Sequence, residues 1–228
     1  AGDQSPHVQW DKAAVARMLR LKGLSARQET AVRIANAVEE VLPYAEKERQ
    51  AEVVFMHQAE VVELSRRRLT ERDVQEARDG GEPFRIAYEQ LVRELEQHPE
   101  KKQEPRWYVP VTRAYRKWRW HANVALRYEQ ERVQPRLPVE VHLVRLGDVV
   151  LATNPFEYYL DFGIRIKARS PAVQTFLVQL AGVGSYVPSP RSVAGKGYGS
   201  VPASTVVGPE GGEELADWTV DRIRAMWA

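Results

Sequence analysis

The hydrophobic pattern of this chain changes period at Pro138, and that change limits the folds open to it. Before Pro138, apolar residues recur mainly at three- and four-residue steps; after it they alternate or run together. Ser25-Ala26-Arg27-Gln28 has the form of a capping box. Beyond it Ala31, Ile34, Ala35, Val38, Val41 and Leu42 make one helical stripe, which Pro43 is expected to end. Val53-Val54-Phe55-Met56 and Val61-Val62-Glu63-Leu64 read as two short strands. Thr70 with Asp73 three residues on marks a helix start, and Gly80-Gly81 is expected to stop that helix. A second helix is expected over 84–98, followed by a charged, proline-punctuated connector over 96–104.

After Pro138, residues 139–144 alternate, Gly147-Asp148 supplies a two-residue turn, and 149–153 continue as a buried strand that Asn154-Pro155 ends. Residues 156–167 then read as a helix and 175–180 as another strand. That strand–helix–strand order suggests a βαβ unit, in which chemistry gathers where strands end. The expected fold is therefore α/β, with α+β as its alternative: a mixed sheet flanked by helices. Residues 182–212 hold eight glycines and four prolines. So long a loop is uncommon in a compact domain unless it builds a site. A last helix is expected over 213–227.

Composition narrows the chemistry. With 228 residues, 43% hydrophobic and 28% charged, the chain fits neither the disordered nor the membrane class, and no apolar run approaches a bilayer span. It has no cysteine, which excludes disulfides, thiol catalysis and thiolate-ligated metals. A metal would need histidine, carboxylate or phenolate ligands. The histidines are His7, His57, His98, His121 and His142; His121 and His142 lack zinc-ligand spacing and read as structural. Residues 107–132 are aromatic and basic together. Val111, Tyr115, Trp118, Ala122 and Ala125 fall on one helical stripe, with Arg113, Arg116, Lys117 and Arg127 largely off it. An amphipathic helix explains this better than a nucleic-acid face, since the net charge is only +2, and no nucleic-acid partner is expected.

Four places can carry chemistry. Glu157 follows a buried strand at the expected opening of a helix, where a carboxylate is oriented by backbone N–H groups or simply caps the first turn. Tyr186 and Tyr198 stand twelve residues apart in the glycine-rich stretch. Residues 195–200 (Gly-Lys-Gly-Tyr-Gly-Ser) lack the order of a phosphate loop. Ser5, in Gly2-Asp3-Gln4-Ser5-Pro6, has its hydroxyl on a sharp turn, as nucleophile or substrate anchor. This opening has no initiator Met, no basic region and no apolar region, and reads like the interior of a protein.

Taken in order, these segments resemble the second half of the neutral/alkaline ceramidase family. Gly2-Asp3-Gln4-Ser5-Pro6 resembles its Gly-Asp-x-Ser-Pro segment, whose serine is assigned as nucleophile. Residues 149–157, ending Asn-Pro-Phe-Glu, resemble its strand ending in Pro-Gly-Glu, where the glutamate binds zinc. Ser185-Tyr186-Val187 resembles its Tyr-Val-Thr-Thr segment, whose tyrosine is another zinc ligand. Lys196-Gly197-Tyr198 resembles the downstream tyrosine that hydrogen-bonds the substrate carbonyl. There are departures. Phe156 stands where the family has glycine, Pro188-Ser189 replaces the threonine pair, and the immunoglobulin-like domain has no counterpart.

The resemblance implies that residues 1–228 form the second half of a catalytic domain, 1–137 mostly helical and 138–228 sheet-forming and site-bearing. It implies Zn2+ held by Glu157 and Tyr186, with two histidines from an upstream half that is part of the same protein or a separate chain. It implies hydrolysis of an N-acyl linkage, in a lipid or another amide, by metal-activated water. Tyr198 would stabilise the oxyanion, and Ser5 would be either the nucleophile or an anchor, the anchor being favoured since no base for it is evident. The alternative is a non-catalytic, ceramidase-like binding or structural subunit. No transmembrane segment is expected; family members are often secreted, while these residues fix no compartment.

Overall fold

The structure is a computed structural model that describes residues 2–4 and 11–228. They fall into two compact units, one of residues 4 and 11–54 and one of residues 2–3 and 55–228.

The smaller unit is a helical hairpin of α1 (Lys12–Lys22) and α2 (Ala26–Ala45). Gly23, at φ 65°, closes α1, and the Ser25–Gln28 capping box opens α2 with both reciprocal bonds made. Glu29 ties the hairpin by pairing with Lys22 at 2.8 Å and Arg33 at 3.0 Å. Pro43 does not end α2, which runs two residues past it. A proline this near the end removes only a last-turn bond, so its usual penalty is reduced. The apolar stripe is exposed, Ile34 at 62% and Val38 at 52%, because a two-helix unit has no second layer to bury it.

The larger unit contains a four-stranded mixed sheet in the order β1-β2-β3-β5, flanked by helices: the expected α/β architecture. β1 (Phe55–Ser65) and β2 (Arg136–Leu146) pair antiparallel along their whole length, and β3 (Val149–Thr153) returns beside β2. The turn between β2 and β3 is made by Gly147 at φ 60° and Asp148. β5 (Gln174–Val178) lies parallel to β3 after a crossover through α5 (Leu160–Arg169), the βαβ unit read from the order of elements. The two short strands expected over 53–64 are one strand, since uninterrupted pairing with β2 overrides the polar residues between the apolar runs.

One face of the sheet is finished. Val62, Leu64, Val139, Val141, Leu143, Val150 and Ala152 join Phe162 and Ile166 of α5 and Leu215, Val220 and Ile223 of α7 (Pro209–Ala225) in the main core. A second cluster, around Leu69, Val74, Ala77 and Val124, forms where α3 (Glu71–Gln97) packs on α4 (Tyr108–Val133). Here the structure corrects the sequence again: α3 is a single helix that passes through Gly80, Gly81 and Pro83. Those glycines admit the His121 ring of α4; a Cβ on Gly80 would lie 2.9 Å from its Cε1. Close packing, not chain reversal, explains the pair. Tyr88 of α3 stacks on Trp118 and Phe84 stacks on His121, so part of the aromatic content of 107–132 joins the two helices. Among the described residues no helix is long and apolar enough to cross a membrane.

Candidate functional site

The site begins where β3 ends. Asn154 is buried and its side-chain oxygen accepts the Phe156 N–H at 3.0 Å, which turns the chain off β3. The helix expected from residue 156 is delayed to Leu160. Three successive amides are already committed elsewhere. Glu157 N–H donates to the Ser185 carbonyl at 3.1 Å, Tyr158 N–H to the Gln179 side chain at 3.1 Å, and Tyr159 N–H to the Val187 carbonyl at 3.2 Å. The result is a short strand, β4 (Glu157–Tyr158), parallel to β6 (Tyr186–Val187), with Glu157 opposite Tyr186. Glu157 therefore does not open a helix. Asp3 does the capping expected of it, accepting the Leu160 N–H at 2.9 Å.

Strand alternation now sorts the side chains. Tyr158 and Val187 turn into the main core, 1% and 0% exposed, and the Tyr158 hydroxyl donates to the Gly212 carbonyl. Glu157 and Tyr186 face the other way, half-buried and side by side. Burial first, and a hydrogen bond to the Glu157 carboxylate second, push the Tyr186 phenol up to about 12. At neutral pH Tyr186 is thus protonated, its phenol beside the Glu157 carboxylate. Tyr159, 5% exposed, completes the cluster, its phenol pushed up by burial and by the charges of Asp3 and Glu157.

Two glycines let this cluster close. Gly2 donates its N–H to the Tyr158 carbonyl at 3.0 Å, and a Cβ there would stand 2.4 Å from the Glu157 carbonyl oxygen. A Cβ on Gly199 would lie 2.6 Å from the Tyr159 hydroxyl and 2.8 Å from the Tyr186 ring. Neither position has room for a side chain. Tyr198, beside Gly199, meets Tyr186 edge-on at 5.8 Å and stacks on Trp120 of α4 at 6.3 Å, leaving it 67% exposed. The Tyr198 segment is held by two arginines. Arg67 donates to the Ser200 carbonyl and to Thr205 Oγ1, and Arg127 to the carbonyls of Pro202 and Thr205. Burial brings the Arg127 guanidinium down to about 10.

Of the residues singled out from sequence, Glu157, Tyr186 and Tyr198 are brought together. Ser5 lies outside the described residues. Asp3, Tyr159, Gln179, Arg67 and Arg127 went unread. Asp3 had its place in the Gly-Asp motif and Tyr159 its place two residues after Glu157; the other three carry no local signal. Among the described residues no three His, Asp or Glu side chains gather as a metal site. Glu157 and Tyr186 offer two adjacent oxygen donors of the kind zinc accepts, about half of a four-coordinate set.

No family model and no curated protein matches the chain. Among solved structures, 40% of the chain is similar to a ceramidase complexed with C2, at 20% identity and a TM-score of 0.34. The same share is similar to the neutral ceramidase from Pseudomonas aeruginosa, at 22% identity and a TM-score of 0.35. The match spans 15% of the length of each of these chains.

Proposed function

We propose that this chain supplies part of the active site of a zinc-dependent, ceramidase-like amide hydrolase that cleaves an N-acyl linkage. The observation that carries this reading is the pairing of Glu157 with Tyr186 across β4 and β6, with Tyr198 against the Tyr186 ring. The order of the sequence motifs supports it. Glu157 and Tyr186 would hold the metal, and the remaining ligands would come from an upstream histidine-bearing segment or a partner chain. Bound there, zinc would polarise the amide carbonyl and lower the pKa of a water toward ~7.

The chain's own residues do the rest. Tyr186 would hold the metal through its phenolic oxygen, whose proton would be released to solvent. Tyr198 donates its hydroxyl hydrogen to the carbonyl oxygen, whose negative charge grows only as the amide is attacked. Arg67 and Arg127 keep that donor aimed by fixing the backbone on its far side. Ser5 anchors a polar group of the substrate; no base beside it is needed, because the nucleophile is water.

The native assembly, captured through a tag on this chain, should hydrolyse N-dodecanoylsphingosine or a related N-acyl amide. Tyr198→Phe should lower kcat about 10²–10³-fold with zinc content and KM nearly unchanged, as expected of a donor that acts in the transition state. A zinc-replete assembly that hydrolyses no N-acyl amide, or a Tyr198→Phe variant of wild-type rate, would overturn the reading.

A further inference from the structure

The exposed side of α4 holds a concave surface of about 420 Å³ that ends at Tyr198. Val109, Trp120 and Tyr198 contribute its apolar part and Arg113, Arg116 and Lys117 its charge. The three cations are on one helix within five residues, all exposed. Among the described residues none of them has a carboxylate within ion-pair distance, whereas Arg85 of α3 is clamped by Glu82 and Glu89. Lys117 Nζ instead lies over the Trp120 ring at 5.2 Å, close to the Tyr198 end. An uncompensated cationic rim beside an apolar floor is complementary to an amphiphile with a negative end.

We propose that this groove receives the anionic end of an acylated amide, so that the preferred substrate is a charged N-acyl compound of the acyl-amino-acid type. The spacing suits this. Arg116 and Lys117 stand three to four residues from Trp120, about 4.5–6 Å of helix rise. That is the order of the distance between the carboxylate and the amide of such a molecule. The amide would then lie at the Trp120 end of the groove, beside Tyr198, whose ring stacks on Trp120 and meets Tyr186 edge-on. A nucleic acid is a poorer occupant. Trp120 already has Tyr198 stacked beside it and Lys117 over its ring, which leaves a base less of its surface to stack on. The proposal rests on the hydrolase reading only for what becomes of the bound amide.

The test is equilibrium binding to the 228-residue chain, followed by calorimetry, of three probes with one acyl chain. N-dodecanoylglycine carries a carboxylate, N-dodecanoyltaurine a sulfonate, and N-dodecanoylethanolamine no charge. Both anions should bind at least about tenfold more tightly than the neutral amide, the effect of one good charge-assisted contact. The preference should vanish in the Arg116→Ala/Lys117→Ala double variant, whose exposed positions leave the fold intact by circular dichroism. Equal affinity for the three probes overturns the proposal, as does a preference that survives the double variant. Salt-sensitive binding of a single-stranded 20-mer, lost in the double variant while the probes bind alike, overturns it in favour of nucleic acid. Selective anion binding without hydrolysis in the zinc-loaded assembly upholds the groove and defeats the hydrolase. Hydrolysis of charged and neutral amides with equal kcat/KM does the reverse.

Discussion

One face of the four-stranded sheet carries Val62, Leu64, Val141, Leu143, Val150 and Ala152 beneath α5 and α7; the opposite face carries Phe55, Val61, Leu146 and Phe176, which are 66%, 63%, 43% and 47% exposed. Both are apolar. The parallel pair β3–β5 has hydrophobic residues on each side, a composition normally found in strands buried on both faces. The finished face fixes the candidate site: Tyr158 and Val187 lock β4 and β6 into the core, which holds Glu157 and Tyr186 outward in register. The open face has the character of a surface that takes a further layer.

Paired truncations break or sharpen this contrast. Phe162→Ala, in the finished core, should cost about 3–5 kcal/mol in urea unfolding, while Phe176→Ala on the open face should cost less than about 1 kcal/mol. Comparable losses would mean that the two faces are equally covered in solution. A smaller effect is expected from Arg127→Ala, which removes the guanidinium from the Pro202 and Thr205 carbonyls. Among the described residues only the Thr205 carbonyl is then left with no donor, since Pro202 still accepts the Thr205 N–H. The change should cost about 1–3 kcal/mol and expose the 198–205 segment to proteolysis before the sheet yields. Unchanged stability and protection would show that the Tyr198 segment is held by something else.

The smallest effect concerns protons. The Tyr186 phenol is pushed up to about 12, so between pH 10 and 12 the folded chain keeps a proton that the unfolded chain releases. Its contribution is therefore complete below pH 10 and is lost as pH rises through 12. The ultraviolet titration difference between wild type and Tyr186→Phe should have its midpoint near 12. A midpoint near 10 would mean that burial and Glu157 do not act on this phenol.

What the sequence disclosed follows the range of the forces involved. The Ser25 and Thr70 caps and the Gly147-Asp148 turn are set by neighbouring residues, so they were legible. The β3–α5–β5 crossover was legible from pattern order. Gly80-Gly81 was misread because a glycine that admits a distant ring looks, locally, like one that stops a helix. The strand at Glu157 was hidden because its backbone partners, Ser185 and Val187, lie almost thirty residues away. The nearness of Glu157 to Tyr186 came from the family resemblance, not from spacing. Arg67 and Arg127 act only through tertiary contacts with the 200–205 backbone, which no local pattern announces.

The most direct measurement is the metal content of the native assembly carrying Glu157→Ala beside that of the wild type. Glu157 is half-buried and its replacement removes one of two adjacent donors while leaving the β4–β6 backbone bonds in place. The account predicts bound zinc in the wild-type assembly and the loss of most of it in the variant, with α/β circular dichroism retained. Undiminished zinc in Glu157→Ala, or a wild-type assembly that binds none under zinc-replete conditions, would contradict it.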